Sequence, residues 1–359
     1  MQTFRRLTPA VSATVLATVT AVVLTGVCVR NLTGAQEPAE PKAPAAKVAD
    51  GEKTQPKAAQ EDPKAAELMR DVYTRLMERA SVRARLKETV FLGDRRTTAE
   101  GTYLSGAFPL VRVEYRVRVG GTAGVLTEVC DGSVVHSKRE LLKAGAAAES
   151  KPAAEAEDDP KKSVVLAPVS ASETKFTRCD VQQVAKAIDD KSRPPADVIA
   201  EAGIGGLPAT IASLRRCMVF DTVRELQTKA GTFRVVEGHW NPAHLDKLTG
   251  AFGPGGASLK QIVPERAAIY LDPTTLFPTR IVYLRRVGEG DKAFRPVLAL
   301  EFLDVQFDTA VSMDQFTITV PPGVEEKDET AEYIAAIKPQ AAPTAPGQGL
   351  PSELFPGKK

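Results

Sequence analysis

Few residues in this chain have the type and spacing that catalysis requires. There are three histidines, His136, His239 and His244. His239 and His244 flank Trp240-Asn241-Pro242-Ala243, a spacing that could serve a metal. Metal ligands come in threes and fours, however, and a strand end running into a helix cap explains the pair more simply. No H-E-x-x-H, G-x-S-x-G or Walker loop occurs. Gly203-Ile204-Gly205-Gly206 follows no strand pattern and lacks the final spacing of a dinucleotide loop. Gly253-Pro254-Gly255-Gly256 reads as a turn. Asp272, followed by Pro273, and Asp304 are turn and strand-edge carboxylates that nothing assembles into an acid–base pair. These absences speak against an enzyme and call for no cofactor and no metal. What remains is an apolar stripe, Leu68, Met69, Val72, Leu76 and Met77. Methionine-rich faces adapt to varied apolar ligands, so Met69, Val72 and Leu76 are the candidate lining of an apolar cavity. The same stripe also serves a helix that simply packs as core.

The stripe belongs to a helix over 63–80. Asp62 is a cap, Pro63 stands in the first turn, and Ala65, Leu68, Met69, Val72, Tyr73, Leu76, Met77 and Ala80 recur at helical spacing. The period then falls to two. Val82, Ala84 and Leu86 alternate with Arg83, Arg85 and Lys87, and Val111, Val113, Tyr115, Val117 and Val119 alternate with Arg112, Glu114, Arg116 and Arg118. With turn dipeptides at Gly120-Gly121 and Asp131-Gly132, residues 82–138 read as a meander of about five antiparallel strands. Short helices are expected at 181–188, 196–202 and 208–217, strands at 219–227 and 232–240, and a helix from Asn241-Pro242. Strands return at 267–271, 279–287, 296–307 and 316–320. In 296–307, Leu298, Leu300 and Phe302 lie on one phase and Leu303, Val305 and Phe307 on the other, so either a bulge shifts the register or both faces are covered. The helices must cover the apolar face of a large, curved antiparallel sheet.

The ends and one internal stretch differ in character. Arg5 and Arg6 precede an uncharged run, Leu7 to Val29, long enough to enter a bilayer, and small residues at Thr33-Gly34-Ala35 would suit cleavage. Residues 1–35 therefore read as a signal peptide or N-terminal membrane anchor, and the remainder as extracytoplasmic. Cys28 lies in this run, and Val27 before it is unsuited to lipid modification. Cys130, Cys179 and Cys217 remain, none in a C-x-x-C pair; at most one bridge can form among three, and Cys179 with Cys217 is one option. Residues 36–61 and 144–162 are Pro-, Ala-, Lys- and Glu-rich and read as a disordered linker and a disordered insertion. The folded unit spans 62–330, and a disordered Pro-rich tail fills 331–359, with low complexity from about Lys338. A formal net charge of +2 over 359 residues gives no field that would advertise nucleic acid.

Several segments in order carry a resemblance. They are Phe108-Pro109-Leu110-Val111-Arg112-Val113-Glu114, Cys130-Asp131-Gly132, Gly205-Gly206-Leu207-Pro208 and Val236-Glu237-Gly238-His239-Trp240. Ile269-Tyr270-Leu271-Asp272-Pro273 through Pro278-Thr279-Arg280-Ile281 follows, then Leu303-Asp304-Val305-Gln306-Phe307 and Val320-Pro321-Pro322-Gly323-Val324. Together they resemble the LolA-type fold of periplasmic outer-membrane lipoprotein carriers, and more closely a group of exported planctomycete proteins built on that fold. The resemblance covers 62–330. It implies an α+β fold, an incomplete antiparallel β-barrel closed by several helices, with an apolar cavity for acyl chains. It further implies lipid or an acylated lipoprotein as partner, in the periplasm; the uncharged run itself leaves the protein free or tethered to the inner membrane through residues 7–29. Two departures are the insertion at 144–162 and an N-terminal run that would hold a shuttle at the membrane. The carriers' lid-holding arginine is not assigned to any residue here, so no functional residue is carried over. The other reading is a non-enzymatic envelope scaffold or partner-binding domain with a filled interior.

Overall fold

The computed structural model describes residues 61–92, 95–119, 122–143, 171–188, 192–229, 231–250, 263–287 and 293–337. The expected signal peptide or anchor, the linker except Glu61, the insertion 144–162 and the tail from 338 onward lie outside them. Helix α1 runs Pro63–Glu78, and the Asp62 carboxylate accepts from the Lys64 amide at 2.9 Å, as a cap should.

Five antiparallel strands follow as expected: β1 (Val82–Leu92), β2 (Arg95–Ser105), β3 (Val111–Val119), β4 (Thr122–Cys130) and β5 (Val134–Lys143). At the β4–β5 turn the Asp131 carboxylate accepts from the amides of Ser133 and Val134, both at 2.8 Å, and Gly132 takes φ 98°. A sixth strand, β6 (Ala171–Asp180), was not expected, because Ser172, Glu173, Thr174, Lys175, Thr177 and Arg178 leave it polar on both phases. Helices α2 (Val181–Ile188), α3 (Pro195–Glu201) and α4 (Leu207–Cys217) come next. The second meander is β7 (Met218–Thr228), β8 (Gly231–Trp240), helix α5 (Pro242–Gly250), β9 (Arg266–Leu271), β10 (Pro278–Arg286) and β11 (Phe294–Phe307). A 3-10 turn (Met313–Phe316), β12 (Glu326–Asp328) and α6 (Thr330–Ile337) end the described chain.

The strands form one sheet in the order β12-β6-β5-β4-β3-β2-β1-β11-β10-β9-β8-β7. The two meanders meet where β11 runs antiparallel to β1, and β12 adds in parallel to β6. Because β12 and β7 stand at opposite ends and do not pair among the described residues, the barrel is incomplete, an α+β fold of the class expected. The two apolar phases of β11 are reconciled by a bulge. Its β1 partner advances from Arg83 to Arg85 while β11 moves from Gln306 to Leu303, and Asp304 adopts φ 52°. Leu300 and Phe302 before it, and Val305 and Phe307 after it, thereby join the same core.

Two expectations fail at the C-terminal end. Residues 316–320 form no strand. Ser312 and Gln315 make a reciprocal capping box on the 3-10 turn, which drops Phe316 onto the outer face of the sheet against Leu104 and Val129. Nor does the folded unit stop at 330: residues 331–337, placed in the tail by composition, continue helix α6. Tyr333 is buried there, and its hydroxyl donates to the Ala202 carbonyl at 2.5 Å.

Candidate functional site

Pairing registers align the side chains of the inner sheet face into rows. Ala84, Tyr103 and Val113 share one row, and Leu86, Gly101, Tyr115 and Leu126 the next. Helix α1 lies against α4 and β7 on this side. Its buried edge is Ala65, Leu68, Met69, Val72 and Leu76, and these enter one apolar cluster with the inner sheet residues. The three candidate lining residues are thus brought together: Met69 and Val72 are 0% exposed and Leu76 7%. Met77, also on the stripe, is only half-buried. In the same cluster, edge-to-face rings link Tyr103 to Phe302 and Phe302 to Phe277 (centroids 5.6 Å apart in each case), and Phe277 to Phe307 (5.3 Å).

Polar contacts fasten α1 at its rim. The Asp62 amide donates to the Phe220 carbonyl (2.9 Å), the Tyr73 hydroxyl to Asp197 Oδ1 (2.6 Å), Arg75 to the Thr274 carbonyl (3.2 Å) and Arg79 to Asp308 Oδ2 (3.2 Å). Burial, then the hydrogen bond to Asp197 and its charge, push the Tyr73 phenol far up, so it stays a neutral donor. Arg215 stacks 5.0 Å from the Tyr73 ring centre. On the far side, α4 starts where a side chain could not fit. A Cβ on Gly206 would come within 2.8 Å of Val111 Cγ2 and 3.1 Å of the Tyr103 ring, and its φ is 69°. The close approach lets the Leu207 amide donate to the buried Tyr103 hydroxyl at 3.2 Å.

No family model matches this sequence, and no curated protein matches it. Among solved structures the chain is similar to an outer-membrane lipoprotein-sorting protein domain from Vibrio parahaemolyticus. There the identity is 11%, the match covers 70% of this chain and 96% of that one, and the TM-score is 0.27. It is also similar to MucB (12% identity, 73% of this chain, 70% of that chain, TM-score 0.33) and to LprF from Mycobacterium bovis (11%, 71%, 97%, TM-score 0.32). Superpositions this loose say nothing about ligand or role; the fold is described by its own strand order.

The other residues singled out by type are dispersed. His239 Nδ1 lies 3.0 Å from Asp221 Oδ2, which Arg266 also contacts at 2.8 Å, so its partner is an ion-pair cluster and not His244. Among the described residues no three metal-ligating side chains converge. Asp272 holds a turn through the Thr274 and Thr275 amides, and Asp304 pairs with Arg85 at 2.5 Å. Among the described residues Cys130, Cys179 and Cys217 form no disulfide, and burial pushes the Cys130 thiol up to about 12. Two interior groups were missed. Glu88 is fully buried on the inner phase of β1, and Tyr115 is buried with a hydroxyl that has no hydrogen-bond partner among the described residues. Burial first and the Glu88 charge second drive the Tyr115 phenol upward. Glu88 was detectable, since it follows Val82, Ala84 and Leu86 on the apolar phase.

Proposed function

We propose that this protein is an extracytoplasmic binding protein, not an enzyme, that holds lipid or a lipoprotein acyl chain between the inner sheet face and helix α1. Its place is the periplasm, free or tethered through residues 7–29. Those residues lie outside the described part, and among the described residues no helix is long and apolar enough to cross a membrane. One observation carries the reading: α1 presents a wholly apolar edge to the sheet, while its polar fastenings sit at the rim. A few rim bonds, each worth about 1–1.5 kcal/mol net, allow such a helix to lift from apolar surface and be replaced there by an acyl chain. Met69, Val72 and Leu76 would then contact the ligand.

The zero exposure of Met69 and Val72 favours a second reading, a scaffold whose interior is filled for good. Binding of a fluorescent fatty acid to the delipidated protein, with thermal melts, separates the two. In the carrier, Leu76→Asp puts an unpaired carboxylate into the ligand space and abolishes uptake with the sheet still folded. In the scaffold there is no uptake to lose and the same change only destabilises. Wild-type protein that takes up no probe after delipidation would end the carrier reading.

A further inference from the structure

A groove of about 430 Å³ opens on the outer face of the sheet, the face turned away from α1. Its floor is β1, β2 and β11, and one wall is the segment around the 3-10 turn, held down by Phe316 on Leu104 and Val129. The side chains around it include Arg83, Arg85, Arg112, Asp304, Thr102 and Gln306. Three guanidinium groups thus face one carboxylate. Arg112 is committed: it donates to Glu114 Oε1 at 2.6 Å and 2.9 Å and to the carbonyls of Gln315 (3.3 Å) and Thr317 (3.2 Å), which fixes the wall. Arg85 pairs with Asp304, and both are more than half exposed. Arg83 is exposed and makes no ion pair or hydrogen bond among the described residues. Across the same face, Arg96, Arg116 and Arg118 are exposed as well, and Glu100, opposite Arg116, offsets part of their charge.

We infer that this groove binds a phosphate-bearing anion. A guanidinium fork matches two oxygens of an oxyanion, and Thr102 and Gln306 offer neutral donors for the others. A tetrahedral group with three or more oxygens offers separate acceptors to the fork, to Thr102 and to Gln306. The volume falls in the range of small-ligand sites. Asp304 opposes the anion and sets its affinity. The phosphate comes either from a lipid headgroup or from a free phosphate compound. The site is on the opposite face from the acyl space and does not depend on it.

The test uses the full chain, with inorganic phosphate in titration calorimetry and with vesicles of phosphatidylcholine alone or mixed with phosphatidylglycerol. Arg83→Glu should weaken binding about tenfold or more, since it inverts the one uncommitted guanidinium. Asp304→Asn should tighten it roughly threefold; asparagine tolerates the left-handed backbone at this position. Melting temperatures check that both variants fold. Binding of inorganic phosphate with indifference to vesicles identifies a free phosphate compound. Binding of the phosphatidylglycerol vesicles with loss in Arg83→Glu identifies the headgroup. Wild-type protein that binds neither probe, or variants that fail to shift in opposite directions, would overturn the site.

Discussion

Replacing Tyr73 by Phe asks whether α1 is a lid. The change removes one oxygen and with it the 2.6 Å bond to Asp197, while the ring and the Arg215 stack on it remain. A hydrogen bond to a charged group contributes about 1.5–3 kcal/mol net. Tyr73 is only half-buried, so the lower end, about 1.5 kcal/mol, is the better figure. The contacts of Arg75 with Thr274 and of Arg79 with Asp308 are untouched and hold the C-terminal half of the helix. If the lost bond fastens a lid, the fraction of molecules with α1 lifted rises about tenfold, and an acyl probe should associate up to about tenfold faster in stopped flow. The melting temperature should fall by roughly 3–6 °C for a domain of this size. Because the phenol titrates far above neutrality, neither effect should vary between pH 6 and about 9. A melting temperature that falls as stated while the association rate stays unchanged would refute the lid, leaving Tyr73 as a clip between two permanently packed helices.

Two further substitutions probe how the frame is held. Gly206→Ala forces a Cβ to within 2.8 Å of Val111 at a backbone conformation, φ 69° and ψ −128°, that essentially only glycine adopts; a loss of about 3 kcal/mol in urea unfolding is expected. Asp272 anchors the turn that presents Phe277 to Phe302 and Phe307. Although partial burial acts to raise its pKa, hydrogen bonds from Thr275 and Thr274 outweigh it and hold the carboxyl below its ordinary 3.8. A depressed carboxyl stabilises the fold above the unfolded value and loses that contribution as pH falls through the folded one. Wild type should therefore melt above Asp272→Asn at pH 6, and the two curves should converge as pH drops below 3.8.

Legibility tracked how much each stretch reveals through its own periodicity. Helix α1 and strands β1 and β3 were readable because one face of each is apolar and the other charged, so period and burial coincide, and the turn dipeptides Gly120-Gly121 and Asp131-Gly132 marked off β4 and β5. The conflict of phases in β11 left open a bulge or two covered faces, and Asp304 at φ 52° with the register shift against β1 decides for the bulge. Strand β6 was illegible because its place is set by β5 and by β12, which pair with it through the backbone, and not by an apolar face of its own. Phe316 misled for a related reason. It sits beside Ile318 and Val320 in a pattern that reads as strand, yet its burial partners Leu104 and Val129 lie on the outer face of a sheet that only tertiary structure brings near.

The same distinction separates the two candidate sites. The stripe of Met69, Val72 and Leu76 is local to one helix, so its candidacy could be read from spacing, and its burial follows from that spacing. The outer groove is assembled from Arg83 and Arg85 on β1, Thr102 on β2, Arg112 on β3 and Gln306 on β11. In sequence these arginines are merely the polar half of an alternating strand, the residues expected to face water. What converts them into a site is the 3-10 turn that walls the groove on one side, and that turn is held by Phe316 and by the Arg112 bonds to Gln315 and Thr317. The interior takes its character from what alternation hides, and the outer face from what a non-local segment encloses. A ligand on one face and a ligand on the other would therefore be read by different residues of the same strands.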